Sequence, residues 1–237
     1  MSRCCNISND TQAEKERIFW NANKHLLDGR EDHSDWNRHT TRRALETLME
    51  MTSIKGKRIL SAGCGTGQYE QLLIDRGASS VLGVDIAEVN IEIAKERNKC
   101  ELISYQQSNL YEQEFEHDNF DLIVIIDALH HIQDYEQVLS KFCWWAKELY
   151  CFEPNAINPV RRWNERKAVD CLEMSFHKLS LINSLKSVGY HKVKCLNRLF
   201  IPRGIPFVKG VRFLDSFFEK VPVLREFSGA LAVYSSR

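Results

Sequence analysis

The sequence has no surplus of charge of either sign. Its 32 Lys and Arg match its 32 Asp and Glu, for a formal net charge of zero. A protein that grips a polyanion needs a basic face, so nucleic-acid binding is not expected. Long apolar runs are missing too. Unbroken runs stop at the length of Leu122–Ile126, far below the roughly 20 residues that span a bilayer. No apolar N-terminal segment of the secretory type is present. The eight cysteines contain no C-x-x-C pair, and no histidine pair stands at zinc-ligand spacing. Neither a structural zinc nor an iron–sulfur cluster is therefore expected, and no metal. Most of the cysteines lie in apolar stretches and read as buried reduced thiols. With the missing signal segment, they point to a cytoplasmic protein. Internal repeats and low-complexity linkers are also absent.

What is present is enough for one domain. The chain has 237 residues, of which 43% are hydrophobic and 27% charged, so a sizeable core can form. Spaced apolar positions predict helices over 13–27 and 39–51, with a polar loop over 28–37. From Arg58 onward, strands and helices alternate. Strands are expected at 58–62, 80–84, 102–106, 120–126, 149–152, 191–196 and 230–234. Helices are expected after the first glycine cluster, over 88–99, around 135–147 and over 180–188. Phe120–Ile126 is the most apolar of the strands, as suits a parallel strand covered on both faces. This alternation predicts an α/β fold, a doubly wound sheet with its ligand crevice at the C-terminal strand ends.

The most informative segment is Ile59-Leu60-Ser61-Ala62-Gly63-Cys64-Gly65-Thr66-Gly67-Gln68-Tyr69. A strand must turn here into a helix. Glycines permit the dihedrals and remove Cβ atoms, so that a ligand can approach the backbone. Helix N-terminal amides suit a carboxylate or phosphate. Eighteen positions after Gly67, Asp85 ends the next strand. An acid there can accept hydrogen bonds from both hydroxyls of an adenosine ribose.

The glycine spacing is G-x-G-x-G, not the G-x-G-x-x-G of the dinucleotide fingerprint. Over roughly 57–189 the chain resembles the class I S-adenosylmethionine (SAM)-dependent methyltransferases, in particular their small-molecule, type 11/12-like branch. Asp85-Ile86 matches the ribose-binding acid and its neighbour. Ser108-Asn109-Leu110 matches the adenine-edge segment, and Asp127-Ala128-Leu129-His130-His131-Ile132 the turn after the fourth strand. Two positions depart from the pattern. Ser61 stands where the family usually has an acid that helps hold the cofactor's ammonium end, and Asn109 replaces a frequent Asp while keeping a carbonyl acceptor.

The resemblance implies a Rossmann-like seven-stranded doubly wound sheet with an N-terminal helical extension and a C-terminal insertion. As a single domain it divides into a lid (1–56), a core (57–198 and 228–237) and an insertion or cap (199–227). The cofactor implied is SAM, with S-adenosylhomocysteine as product. Gly63, Cys64, Gly65, Gly67, Asp85, Ile86, Asn109, Leu110 and Asp127 are the expected cofactor residues. The chemistry implied is methyl transfer to an oxygen or nitrogen of a small-molecule acceptor: a sugar, an acid or a secondary metabolite.

An imidazole suits proton traffic near neutral pH, so His130, with His131 beside it, is the candidate base. Trp20, Glu153, Asn155 and Arg161 are the candidate acceptor contacts, Arg161 or Arg162 for an anionic group. Arg42 or Arg43 is the candidate partner of the methionine carboxylate. No Asn/Asp-Pro-Pro-Tyr/Phe element follows the fourth strand, which argues against nucleobase and glutamine methylation. Val211, Leu214, Phe217, Phe218 and Val221 form an apolar stripe that fits internal packing, a dimer contact, a substrate cap or a peripheral membrane contact. Ser61 leaves open a second reading, a SAM-binding partner or regulatory protein without transferase activity.

Overall fold

The computed structural model describes residues 9–23, 35–159, 174–199, 215, 217–219 and 221–237. Two helices come first, α1 (Asn9–Ala22) and α2 (Asp35–Met51). Then follow β1 (Arg58–Ala62), α3 (Glu70–Asp75), β2 (Ser80–Asp85), α4 (Glu88–Arg97), β3 (Ile103–Gln107) and β4 (Phe120–Ile126). A short 3-10 turn, Leu129–His131, leads to α5 (Tyr135–Trp145) and β5 (Ala146–Pro154). The chain continues with α6 (Lys178–Ser187), β6 (Lys192–Arg198), α7 (Pro222–Arg225) and β7 (Ala230–Ser236).

Seven strands form one sheet in the order β3-β2-β1-β4-β5-β7-β6. The first five of these pair in parallel, and β7 runs antiparallel to both β5 and β6. The expected Rossmann-like, doubly wound α/β fold is what the chain adopts. β5 runs longer than its sequence suggested, because β7 pairs with it from Glu148 through to Pro154. Proline is tolerated there as the strand's last residue. α2 begins at Asp35, inside the stretch expected as loop, and residues 28–34 lie outside the described residues.

Period-two alternation on β4 divides the core between the sheet's two faces. Ile123 and Ile125 pack with Leu139 and Phe142 of α5 and Leu181 of α6. Leu122, Val124 and Ile126 pack with Ala44, Leu45 and Leu48 of α2. Leu45 and Leu48 are fully buried, and burying each contributes about 1.5–3 kcal/mol. The buried Tyr150 hydroxyl donates to the Ala44 carbonyl at 2.7 Å. α2 is thereby fixed over the sheet beside the strand ends.

Strand order reverses between β1 and β4. Diverging crossovers leave a crevice at such a point, above the C-terminal ends of those two strands. Of the apolar stripe in the C-terminal part, Val211 and Leu214 lie outside the described residues. Phe217 is exposed and Phe218 and Val221 are half-buried. Among the described residues no helix is long and apolar enough to cross a membrane.

Candidate active site

The turn from β1 opens the crevice. Gly63, Gly65 and Gly67 all sit at positive φ, at 65°, 53° and 80°, where a side chain is strained. The three have different surroundings. A Cβ on Gly63 would stand 2.4 Å from Ala128 Cβ in the turn after β4. One on Gly67 would stand 2.7 Å from Asn98 Nδ2 and 2.8 Å from the Tyr105 hydroxyl. One on Gly65 would meet nothing within 4 Å. Gly63 and Gly65 line a cavity of about 270 Å3, and Gly67 is not among its lining residues. Gly67 packs closely on α4 and β3. The helix that follows the turn, α3, starts at Glu70.

Asp85 stands across the crevice. Its Oδ2 accepts the Gly65 amide at 2.9 Å, and its Oδ1 accepts the Ala87 amide at 2.9 Å and Asn90 Nδ2 at 3.0 Å. Burial lifts the Asp85 carboxyl above its ordinary value, and these donors pull it partly back. A carboxylate offers about four acceptor sites, so capacity for a ligand hydroxyl is left. Cys64, Ile86, Asn109, Leu110 and Asp127 line the same cavity. Asn109 spends its Oδ1 on the Tyr111 amide at 3.0 Å and its Nδ2 on Glu112 at 3.1 Å. Asp127 adopts φ 51° and its amide donates to the Phe152 carbonyl at 2.9 Å. This left-handed residue, tolerable for Asp, turns the chain out of β4.

Ser61 does not line the cavity. Its hydroxyl donates to Glu70 Oε1 at 2.6 Å, and Glu70 is fully buried. Burial raises the Glu70 carboxyl pKa, against the hydrogen bonds from Ser61, Tyr69 and Tyr105. An acid is thus present behind the loop, supplied from nine residues further along the chain.

The two histidines have separate places. His130 is 4% exposed and is not among the lining residues, whereas His131 is. His130 Nδ1 lies 2.8 Å from Glu153 Oε2. Glu153, fully buried, also accepts the amides of Ala128 at 3.1 Å and Leu129 at 2.9 Å through Oε1. Glu153 therefore holds the turn together from behind and is not among the residues that line the cavity. Asn155 is likewise buried away from the cavity, its Nδ2 donating to the carbonyls of Glu226 at 2.8 Å and Ser228 at 2.9 Å. Arg161 and Arg162 lie outside the described residues. Arg42 and Arg43 do not line the cavity. Arg42 pairs with Glu46 at 3.3 Å, and Arg43 pairs with Glu219.

The remaining wall comes from the N-terminal helices. α1 contributes Gln12, Ala13, Glu16 and Trp20, and α2 contributes Thr40 and Thr41. Trp20 meets the His131 ring edge-on, with centroids 5.6 Å apart. Glu16 Oε2 lies 3.6 Å from His131 Nδ1. Asn21 Oδ1 accepts the Val89 amide at 3.3 Å, tying α1 to α4. Glu16 is the site residue that sequence reasoning missed. Ala13, Glu16 and Trp20 share one helical face, but the sequence of α1 alone does not say what that face meets.

Residues 60–148 match the methyltransferase domain family. The sheet and helices superpose on an S-adenosylmethionine-dependent methyltransferase from Mesorhizobium loti. The TM-score is 0.61 at 20% identity, with coverage of 81% of this chain and 96% of that one. The chain is thus similar to methyltransferases over residues 60–148 and shares their fold. Among curated relatives, an uncharacterized protein of Haemophilus influenzae is 37% identical over 100 residues, 39% of each chain. A ubiquinone biosynthesis O-methyltransferase of Hahella chejuensis is 29% identical over 106 residues, 44% of each chain. The chain thus matches about two fifths of these relatives' length. The stretch that matches the family spans the glycine turn, Asp85, Asn109 and the paired histidines. It leaves α1 and α2 outside.

Proposed function

We propose that this chain is a SAM-dependent methyltransferase that acts on an oxygen or nitrogen of a small-molecule acceptor. One observation carries the reading: a single cavity is lined both by the glycine turn with Asp85 and by Trp20 and His131. The residues present fit SAM. Open space lies where a Gly65 Cβ would stand, so a ligand can lie against that backbone. The lining includes the carboxylates Glu16, Asp85 and Asp127, and among the described residues no Lys or Arg. That balance favours a ligand with cationic sulfonium and ammonium groups. The Hahella chejuensis relative, named as an O-methyltransferase, favours oxygen over nitrogen.

When bound, SAM supplies an activated methyl group on a good leaving group, so the protein's part is positioning and exclusion of water. Asp85 accepts from the ribose hydroxyls, and Ile86, Asn109 and Leu110 frame the adenine. α1 and α2 act as the lid over the crevice. Trp20 and His131 face the acceptor. The buried thiols of Cys64, Cys143 and Cys151 suit a reducing compartment such as the cytoplasm.

Calorimetry of the full chain with SAM and with S-adenosylhomocysteine tests the first half of the reading. Transfer of a labelled methyl group from SAM into a small-metabolite pool tests the second. Both should succeed. Binding without transfer on any pool would favour the non-catalytic SAM-binding protein, and no binding would end the reading.

A further inference from the structure

An amide joins the end of β2 to the first turn of α4. Asn90 lies five residues after Asp85, and its Nδ2 donates to Asp85 Oδ1 at 3.0 Å. A side-chain amide can meet a carboxylate only through its nitrogen, so this bond fixes which end is which. The other end, Oδ1, is buried with no hydrogen-bond partner. Asn90 is 4% exposed and lines the cavity together with Asp85 and Ile86. A buried acceptor left without a donor is costly, and native proteins hold few of them. Packing alone would be served better by an apolar side chain.

Resting on the SAM reading, we infer that Asn90 Oδ1 is a second ribose contact, which takes one hydroxyl of the nucleoside while Asp85 takes the other. The count of acceptor sites leads there. Asp85 Oδ1 already accepts the Ala87 amide and Asn90 Nδ2, and its Oδ2 accepts the Gly65 amide. Three of about four carboxylate sites are thus used, which leaves room for about one hydroxyl. A ribose presents two, on neighbouring carbons. The second needs an acceptor within reach of the first. Asn90 Oδ1 shares a carbon with the nitrogen that Asp85 holds, so it stands next to that carboxylate.

α4 keeps the amide in place. The Val89 amide donates to Asn21 Oδ1 of α1 at 3.3 Å, and Ile91 and Ala94 are buried. The helix is therefore pinned on either side of Asn90. The ligand that satisfies both side chains is a ribosyl nucleoside with its two hydroxyls intact. A deoxyribosyl compound leaves one of the two acceptors without a donor.

Calorimetry of the full chain with S-adenosylhomocysteine and its 2′-deoxy and 3′-deoxy analogues tests this division without any turnover. In the wild type both analogues should bind more weakly. The one that lacks the Asp85 partner should lose about tenfold or more. The one that lacks the Asn90 partner should lose roughly three- to tenfold, since hydrogen bonds to a charged group are the stronger. In Asn90→Ala the smaller penalty should vanish and the larger should remain. Asn90→Leu fills the space without an amide and gives the same readout if the alanine variant does not fold.

Both penalties intact in the Asn90 variants would overturn the inference, because Oδ1 would then accept nothing from the ligand. Both penalties lost together would overturn it as well, because Asn90 would then act only by holding Asp85. So would a wild type that binds S-adenosylhomocysteine and both analogues equally. Failure of S-adenosylhomocysteine to bind would overturn the SAM reading and this inference with it.

Discussion

Alanine at Gly65 and alanine at Gly63 should fail in different ways, although the two lie two residues apart in one turn. Both positions have positive φ, 53° and 65°. An alanine in that region costs about 1–2 kcal/mol. At Gly65 nothing else is added, since a Cβ there meets no atom within 4 Å. The melting temperature should fall by about 2–8 °C, taking about 2–4 °C per kcal/mol for a chain of this size.

At Gly63 the new Cβ would stand 2.4 Å from Ala128 Cβ. Overpacking of this kind adds about 1–3 kcal/mol, for a total of about 2–5 kcal/mol. Thermal melts should therefore rank Gly63→Ala as the less stable variant. Calorimetry should show the opposite emphasis in Gly65→Ala: a folded protein whose SAM affinity is down tenfold or more, because its methyl stands in the cavity. SAM binding at wild-type strength in Gly65→Ala would refute the reasoning. So would equal stability of the two variants.

Other outcomes follow from the same geometry. Asp85→Ala should weaken SAM by about 1.5–3 kcal/mol, the range for hydrogen bonds to a charged group, as read by calorimetry. Burial holds the Asp85 carboxyl above its ordinary pKa, and its acceptor capacity is lost on protonation. SAM affinity should therefore be constant at high pH and fall as the pH drops through that raised value; a flat profile in wild type would show the ribose held elsewhere. The folded pKa of Glu70 is also raised by burial, so folding takes up a proton between its unfolded and folded values. Stability should decline as pH rises through that interval, and the slope should vanish in Glu70→Gln, measured by urea melts. Glu153→Ala strands several buried amides and the His130 ring, and should cost about 3–5 kcal/mol; a variant that keeps wild-type stability would show that the turn is held by something else.

The parts of the site that could be read from sequence are those in which local chemistry dictates position. The glycine turn and Asp85 were legible because backbone conformation ties them to the ends of β1 and β2. β4 was legible because a strand covered on both faces has little room for polar residues. His130 and His131 show where this stops. They are adjacent in one 3-10 turn, and which ring enters the cavity is decided by Glu153, twenty-three residues beyond His130 on β5 and itself drawn behind the turn. Glu153 was expected in the crevice because it sits near a strand's C-terminal end. Its carboxylate instead satisfies the amides of Ala128 and Leu129. Glu16 was hidden for the converse reason. Nothing in α1 alone reveals that Asn21 ties the helix to α4 and so brings that carboxylate to His131.

Co-crystallisation with S-adenosylhomocysteine tests the central claim most directly. The account predicts the ribose hydroxyls within hydrogen-bond distance of Asp85, the nucleoside lying against Gly65, and the homocysteine sulfur beneath α1 near His131. Density at another surface, or a ribose remote from Asp85, would contradict it.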